Sequence, residues 1–277
     1  MHLDFKVGAC RISYTSKPGG FTVSALVQLI GRGLARLLAS GFRLPVRRLS
    51  IDRQDAKMRG SAMEEQSTIL FLAANPESTN RLALGEEARD IEQRLVAAKH
   101  RDAFNFKTRW AVQPGDLQEA LLRDQPVIVH FSGHGGGQAG IVLHGAKQGE
   151  EKLVSADALR TLFSVLKDKI RVVVLNTCYS QVQAIAIAEV IDFVVGMKEP
   201  VGDRAARTFA AAFYQGLGFG RTVKESFDLG CAAIELEGLA DSDVPVLHVR
   251  RGAHAELTVL ATGSVGQLPL RTRVRRL

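Results

Sequence analysis

From Ser67 onward the chain alternates short apolar runs with stretches in which apolar residues recur every three or four positions. Ile69-Leu70-Phe71-Leu72-Ala73-Ala74 predicts a buried strand, closed by Asn75-Pro76. Leu84, Ala88, Ile91, Leu95 and Ala98 then share one helical face. Asn80 or Thr79 is placed to cap that helix, and Glu86 and Glu87 fall in its first turn, where the helix dipole favours negative charge. Phe106 to Val112 predicts a second strand, Pro114 to Leu122 a short helix, and Val127-Ile128-Val129-His130-Phe131 a third strand. Residues 140–145 read as one arm of a small hairpin. Ser155 caps a helix that runs to Leu166.

Arg171-Val172-Val173-Val174-Leu175 reads as the most central strand, followed by an alanine-rich helix from Gln181 to Ile191. Phe193 to Met197 is a fifth strand, and helices over about 203–215 and 221–235 come next. Pro245 to Val249 is a sixth strand whose proline suits an edge or a strand start. Regular alternation of this kind is built from crossovers, so the expected class is α/β. The sheet should be mostly parallel, with about six strands and helices on both faces. Reactive groups of such sheets lie beyond the carboxyl ends of the strands.

Two segments stand at such ends: His130-Phe131-Ser132-Gly133-His134-Gly135-Gly136 and Leu175-Asn176-Thr177-Cys178-Tyr179-Ser180. One carries an imidazole among glycines and the other a thiol, the base and nucleophile of cysteine-type acyl transfer. His134 and Cys178 are therefore the candidate catalytic pair. Gly135 lacks a side chain, so its N–H can approach a substrate carbonyl; with the N–H of Cys178 it would form an oxyanion hole. His130 reads as a packed or hydrogen-bonded strand residue. Ser132 and Ser180 read as residues that shape their loops.

Other chemistries fit less well. Gly135, Gly137 and Gly140 match a dinucleotide-binding spacing, but a strand-like segment follows where a helix is needed. No P-loop and no GxSxG elbow occurs. Glycine and strand between His130 and His134 argue against a metal pair, and neither metal nor cofactor is expected. The three cysteines, Cys10, Cys178 and Cys231, form no CxxC pair and no disulfide framework, which suits a reducing, cytoplasmic setting. Cys10 reads as an incidental thiol of the flank and Cys231 as a helix-face core residue.

The net charge of +7 is unevenly placed. Lys6, Arg11, Lys17, Arg32, Arg36, Arg43, Arg47, Arg48, Arg53, Lys57 and Arg59 face only Asp4, Asp52 and Asp55 in the first 63 residues. Arg271, Arg273, Arg275 and Arg276 make the C-terminal end basic as well. The region carrying the motifs is mildly acidic, and no aromatic platform accompanies the arginines, so no nucleic-acid partner is expected. Phe21 to Leu38 has an amphipathic pattern, with Leu26, Ile30, Leu34 and Leu37 on one side. Membrane contact through this flank is disfavoured against a basic extension over 1–62, poorly ordered or partly helical, ahead of a domain at 63–252 and a basic tail at 253–277.

On Leu70–Pro76, His130–Gly136 and Leu175–Ser180 the chain resembles the CHAT domain, a prokaryotic branch of the caspase-like cysteine peptidases. Gly196-Met197, Gly202-Asp203-Arg204-Ala205-Ala206, Phe209, Phe213-Tyr214 and Asp243-Val244-Pro245-Val246 extend the likeness over about Ser67 to Val249. The resemblance implies a caspase-like three-layer sandwich with His134 and Cys178 as the dyad. It implies a protein or peptide substrate, and an effector role in bacterial signalling or defence. It also places Asn176, two residues before the nucleophile, in the S1 pocket. Asn176 is uncharged, so Glu199 and Asp203 are the candidates for negative charge there, Asp203 reading equally as a helix cap. No helical-repeat recognition domain accompanies the motifs, which points to a sensor or activator on a separate polypeptide. The competing expectation is a dormant caspase-like interaction module.

Overall fold

The computed structural model describes residues 2–7, 10–15, 66–79, 81–147 and 149–261. The chain divides into two units, Met1–Gly60 and Ser61–Leu277. In the first, β1 (His2–Val7) and β2 (Cys10–Thr15) pair as an antiparallel ribbon, where a disordered or partly helical stretch was expected. The amphipathic stretch from Phe21 to Leu38 lies outside the described residues.

In the second unit, β3 (Ser67–Ala74), β4 (Phe104–Arg109), β5 (Ile128–Gly133), β8 (Val172–Asn176), β9 (Phe193–Met197) and β10 (Pro245–Val249) form one sheet in the order β10-β9-β8-β5-β3-β4. Every pairing is parallel except β9 with β10. The predicted edge strand is thus β10, with Pro245 at its first position, where no ladder donor is lost. The residue 140–145 arm becomes β6 (Ile141–His144), closed into an antiparallel hairpin by β7 (Glu151–Val154).

Alternation along β3 shows why the sheet is covered twice. Ile69, Phe71 and Ala73 join a core with α1 (Leu84–Val96), α5 (Asp203–Gly218) and α6 (Val223–Leu236). Leu70, Leu72 and Ala74 join another with α2 (Pro114–Asp124), α3 (Ala156–Leu166) and α4 (Gln181–Ala188). A strand buried on both sides must be apolar at successive positions, which is the run seen in the sequence. This is the α/β three-layer sandwich, with a mostly parallel six-stranded sheet.

Several boundaries differ from expectation for local reasons. β4 ends at Arg109 because Ala111 is left-handed (φ 53°) and turns the chain out of the sheet. Thr79 does not cap α1, whose N-cap is Ala83; its hydroxyl donates to the Pro76 carbonyl instead, and Asn80 lies outside the described residues. α4 stops at Ala188, and Val190 and Ile191 both donate to the Ile187 carbonyl in a closing turn. Residues 253–261 are packed rather than trailing. Ala255, Leu260 and Ala261 are buried, and the Val223 and Lys224 amides donate to Thr258 and Ala255. The domain boundary placed at 252 therefore moves to at least Ala261. Among the described residues, no helix is long and apolar enough to cross a membrane.

Candidate active site

Strand register builds the site. β5 and β8 are parallel neighbours at the middle of the sheet, and Ser132 is the register partner of Asn176. His134 and Cys178 each lie two residues beyond that pair, so both emerge at the same rim. Gly135 sits so close to the nucleophile turn that a Cβ there would fall on the Cys178 carbonyl oxygen and 2.6 Å from Thr177 Oγ1. Only glycine permits this approach.

The His134 loop is held by a short bridge in which Gly135 opposes Ile141. Its two hydrogen bonds run from Gly136 N–H to Gly140 O (2.8 Å) and from Val142 N–H to His134 O (3.0 Å). They bypass the Gly135 N–H, which is therefore directed away from β6. Gln183, on α4, adds a bond from Nε2 to the Gly137 carbonyl at 2.8 Å, tying the histidine loop to the helix that follows the cysteine.

His134 is half-buried, and its Nε2 lies 3.1 Å from Asn75 Oδ1. Asn75 stands at the end of β3, the strand on the far side of β5 from Cys178. Its own backbone N–H is bonded to Nε2 of His144 at 3.2 Å, and its Oδ1 also accepts from the Thr79 hydroxyl at 3.3 Å. A carbonyl oxygen can only accept, so the His134 proton belongs on Nε2 and Nδ1 is the basic nitrogen. Asn75 is thus a contact of the His134 ring that sequence reading did not single out. Its signal was a polar residue at the carboxyl end of a strand next to the histidine strand.

Cys178 is half-buried, with Sγ 3.8 Å from the Val201 carbonyl, so the sulfur faces the segment that joins β9 to α5. Tyr179 follows in a left-handed conformation (φ 54°) and donates its N–H to the Glu199 carbonyl at 3.4 Å. Ser180 secures the other side of the turn. Its hydroxyl donates to the Leu175 carbonyl (3.0 Å) and accepts from the Met197 N–H (2.9 Å). This joins β8 to β9 beyond the last register pair, Val174 with Val195.

The three residues suggested for substrate binding fare differently. Asn176 is 4% exposed, and its Nδ2 donates to Glu87 Oε1 (2.7 Å) and to the Ala206 carbonyl (3.2 Å). It is committed to the protein interior and does not line an open pocket, which corrects its assignment to S1. Asp203 is not the helix cap but the first residue of α5. Its Oδ1 accepts the Ala83 N–H at 3.3 Å, and Oδ2 lies 3.9 Å from Arg207. Glu199 is exposed on the segment beside Cys178. Lys198 and Asp243 brace that segment with a 2.8 Å ion pair, which raises the lysine's pKa and lowers the aspartate's.

Beneath the rim lies a second group that the sequence left undeciphered. Glu87, on α1, is 3% exposed. His130 approaches it from β5 with Nε2 2.9 Å from Oε1, and the Ser132 hydroxyl donates to Oε2. Tyr214 closes the other side of the His130 ring at 3.1 Å, and Phe71 stacks on its face with centroids 5.0 Å apart. Burial, reinforced by the Glu87 charge, pushes the Tyr214 hydroxyl well above its ordinary pKa, so it stays protonated.

The family model described as CHAT domain matches residues 35–228. A "Roc-COR-CHAT protease" of an unknown prokaryotic organism is 27% identical over 175 residues, covering 60% of this chain and 16% of that protein. A "Probable protease" of Gillisia limnaea is 23% identical over 203 residues, covering 71% of this chain and 35% of that one. The chain thus spans well under two thirds of either relative. Among solved structures, a secreted C11 cysteine protease from Bacteroides thetaiotaomicron is similar at TM-score 0.44 and 11% identity, covering 60% of this chain and 59% of that one. The Drosophila initiator caspase Dronc is similar at TM-score 0.46 and 10% identity, covering 73% and 87%.

Proposed function

The chain belongs to the CHAT domain family, and from that premise we propose that it is a cysteine endopeptidase acting through His134 and Cys178. The observation that carries this reading is the parallel register of β5 and β8, which sets the two loops side by side with Gly135 against the Cys178 backbone. In the reaction, His134 Nδ1 takes the thiol proton as Sγ of Cys178 attacks a peptide carbonyl. The N–H groups of Gly135 and Cys178 hold the developing oxyanion. Collapse of the tetrahedral adduct expels the amine, which receives the proton from His134, and leaves an acyl-enzyme. Water, activated by the same imidazole, then releases the acid and regenerates the thiol. Asn75 holds the imidazole in the tautomer these steps require.

Within this reading Glu199, exposed on the segment that joins β9 to α5, favours a basic residue in the substrate. The biological setting that goes with it is an effector in prokaryotic signalling or defence, working in the cytoplasm and switched by a sensor on another polypeptide. A thiol-reactive peptide probe tests the chemistry. Labelling of the wild type, lost in Cys178→Ala and strongly slowed in His134→Ala, is the expected result. Equal labelling of wild type and Cys178→Ala overturns the proposal in favour of a dormant interaction module.

A further inference from the structure

One buried carboxylate touches the roots of both candidate catalytic loops. Glu87 Oε2 accepts from Ser132, two residues before His134, and Oε1 accepts from Asn176 Nδ2, two residues before Cys178. These two partners are themselves the last register pair of β5 and β8. The third contact, His130 Nε2 at 2.9 Å, comes from the same strand as Ser132 and locks the carboxylate's orientation. All four residues are at most 4% exposed, so solvent does not compete for these bonds. A helix residue whose two oxygens are divided between adjacent strand tips sets how far apart those tips stand. Simple core burial needs no charge here, and an isolated buried carboxylate is costly unless its donors are in place.

We infer that Glu87 is a positioning residue that holds the His134 and Cys178 loops at their working separation by clamping Ser132 and Asn176 onto one carboxylate. This rests on the dyad reading above and extends it to a residue on a helix outside the rim. The clamp makes a specific demand: its two arms act as one unit, so cutting either arm should release the spacing as fully as cutting both.

The test is a double-mutant cycle on the full chain with Ser132→Ala and Asn176→Ala, which keep the Glu87 carboxylate in place, whereas Glu87→Ala would remove it and leave all its buried donors unpaired at once. The measurement is the rate of iodoacetamide alkylation at Cys178 from pH 5 to 9, followed by peptide mapping, alongside thermal melting. His134→Ala serves as the reference for a broken dyad. The expected result is that each single variant displaces the alkylation pH profile toward that of His134→Ala, and that the double variant goes no further than the singles. Profiles that stay at wild type in both single variants while His134→Ala shifts its own overturn the clamp and leave the dyad standing. Strictly additive displacements overturn it too, because they describe two independent contacts. A His134→Ala profile identical to wild type removes the dyad itself, and the clamp with it.

Discussion

The side-chain oxygen of Asn75 lies 3.1 Å from Nε2 of His134, so an amide just beyond β3 favours the proton on that nitrogen of the imidazole on the β5 loop. Without that acceptor the ring loses one of the contacts that fix its tautomer. Asn75→Ala is expected to lower kcat by about 10- to 100-fold with KM little changed, a part of the roughly 100- to 10,000-fold that general base action supplies. Steady-state kinetics on a cleaved peptide, with Asn75→Asp as a charge-bearing comparison, reads the effect.

Gly135 allows no side chain. Its Cβ would meet the Cys178 carbonyl and stand 2.6 Å from Thr177 Oγ1, and backbone on that side cannot yield as a flexible side chain would. Gly135→Ala is expected to destabilise the fold by about 1–3 kcal/mol through overpacking and to abolish labelling by a peptide probe. Urea unfolding and probe labelling measure the two consequences separately.

Thiol chemistry should be selective. Burial pushes the Cys231 thiol up to about 11, with Asp228 and Glu235 adding to the rise and Lys224 opposing it. At pH 8 only about one part in a thousand of Cys231 is then thiolate. Mild alkylation followed by peptide mapping is expected to modify Cys178 long before Cys231. In Cys178→Ala the Cys231 peptide should remain unmodified at pH 8 and react only as pH approaches 11.

Acid should weaken the fold through His248. Burial depresses its pKa below the ordinary 6.5, so the unfolded chain binds that proton first. The contribution of neutral His248 is complete above pH 6.5 and is lost as pH falls through the folded-state value. Urea melts between pH 7.5 and 5 should lose stability more steeply in the wild type than in His248→Gln.

Much of this architecture could be read from apolar runs and their spacing. The span of α3 and its Ser155 cap, β9 and β10 coincide with the predicted elements, because each is bounded by a local signal such as a capping serine or a proline. The loop pair was legible for the same reason: glycines and a thiol stand at strand ends. Glu87 was not. It sits three residues after Leu84 and four before Ile91, on the apolar face of α1, yet its partners lie 43, 45 and 89 residues away in sequence. Read locally, it is one more acid in a first turn. Asn176 misled for a similar reason: a strand's last residue can point to the rim or to the core, and only the partner on α1 decides. The packing of residues 253–261 was hidden because small residues carry no periodic signal, although Ala255 and Ala261 are buried.

The hydroxyl of Ser180 replaces a missing rung between β8 and β9, with one bond to each strand. That makes the count of residues between Leu175 and Ser180 rigid. One insertion would carry the hydroxyl out of reach of both strands and loosen β8 from β9 next to the turn that displays the thiol. Under the proposed peptidase reading, variation in substrate choice would therefore be written elsewhere, for example in the 198–203 connection, where length can change without altering the Leu175–Ser180 spacing.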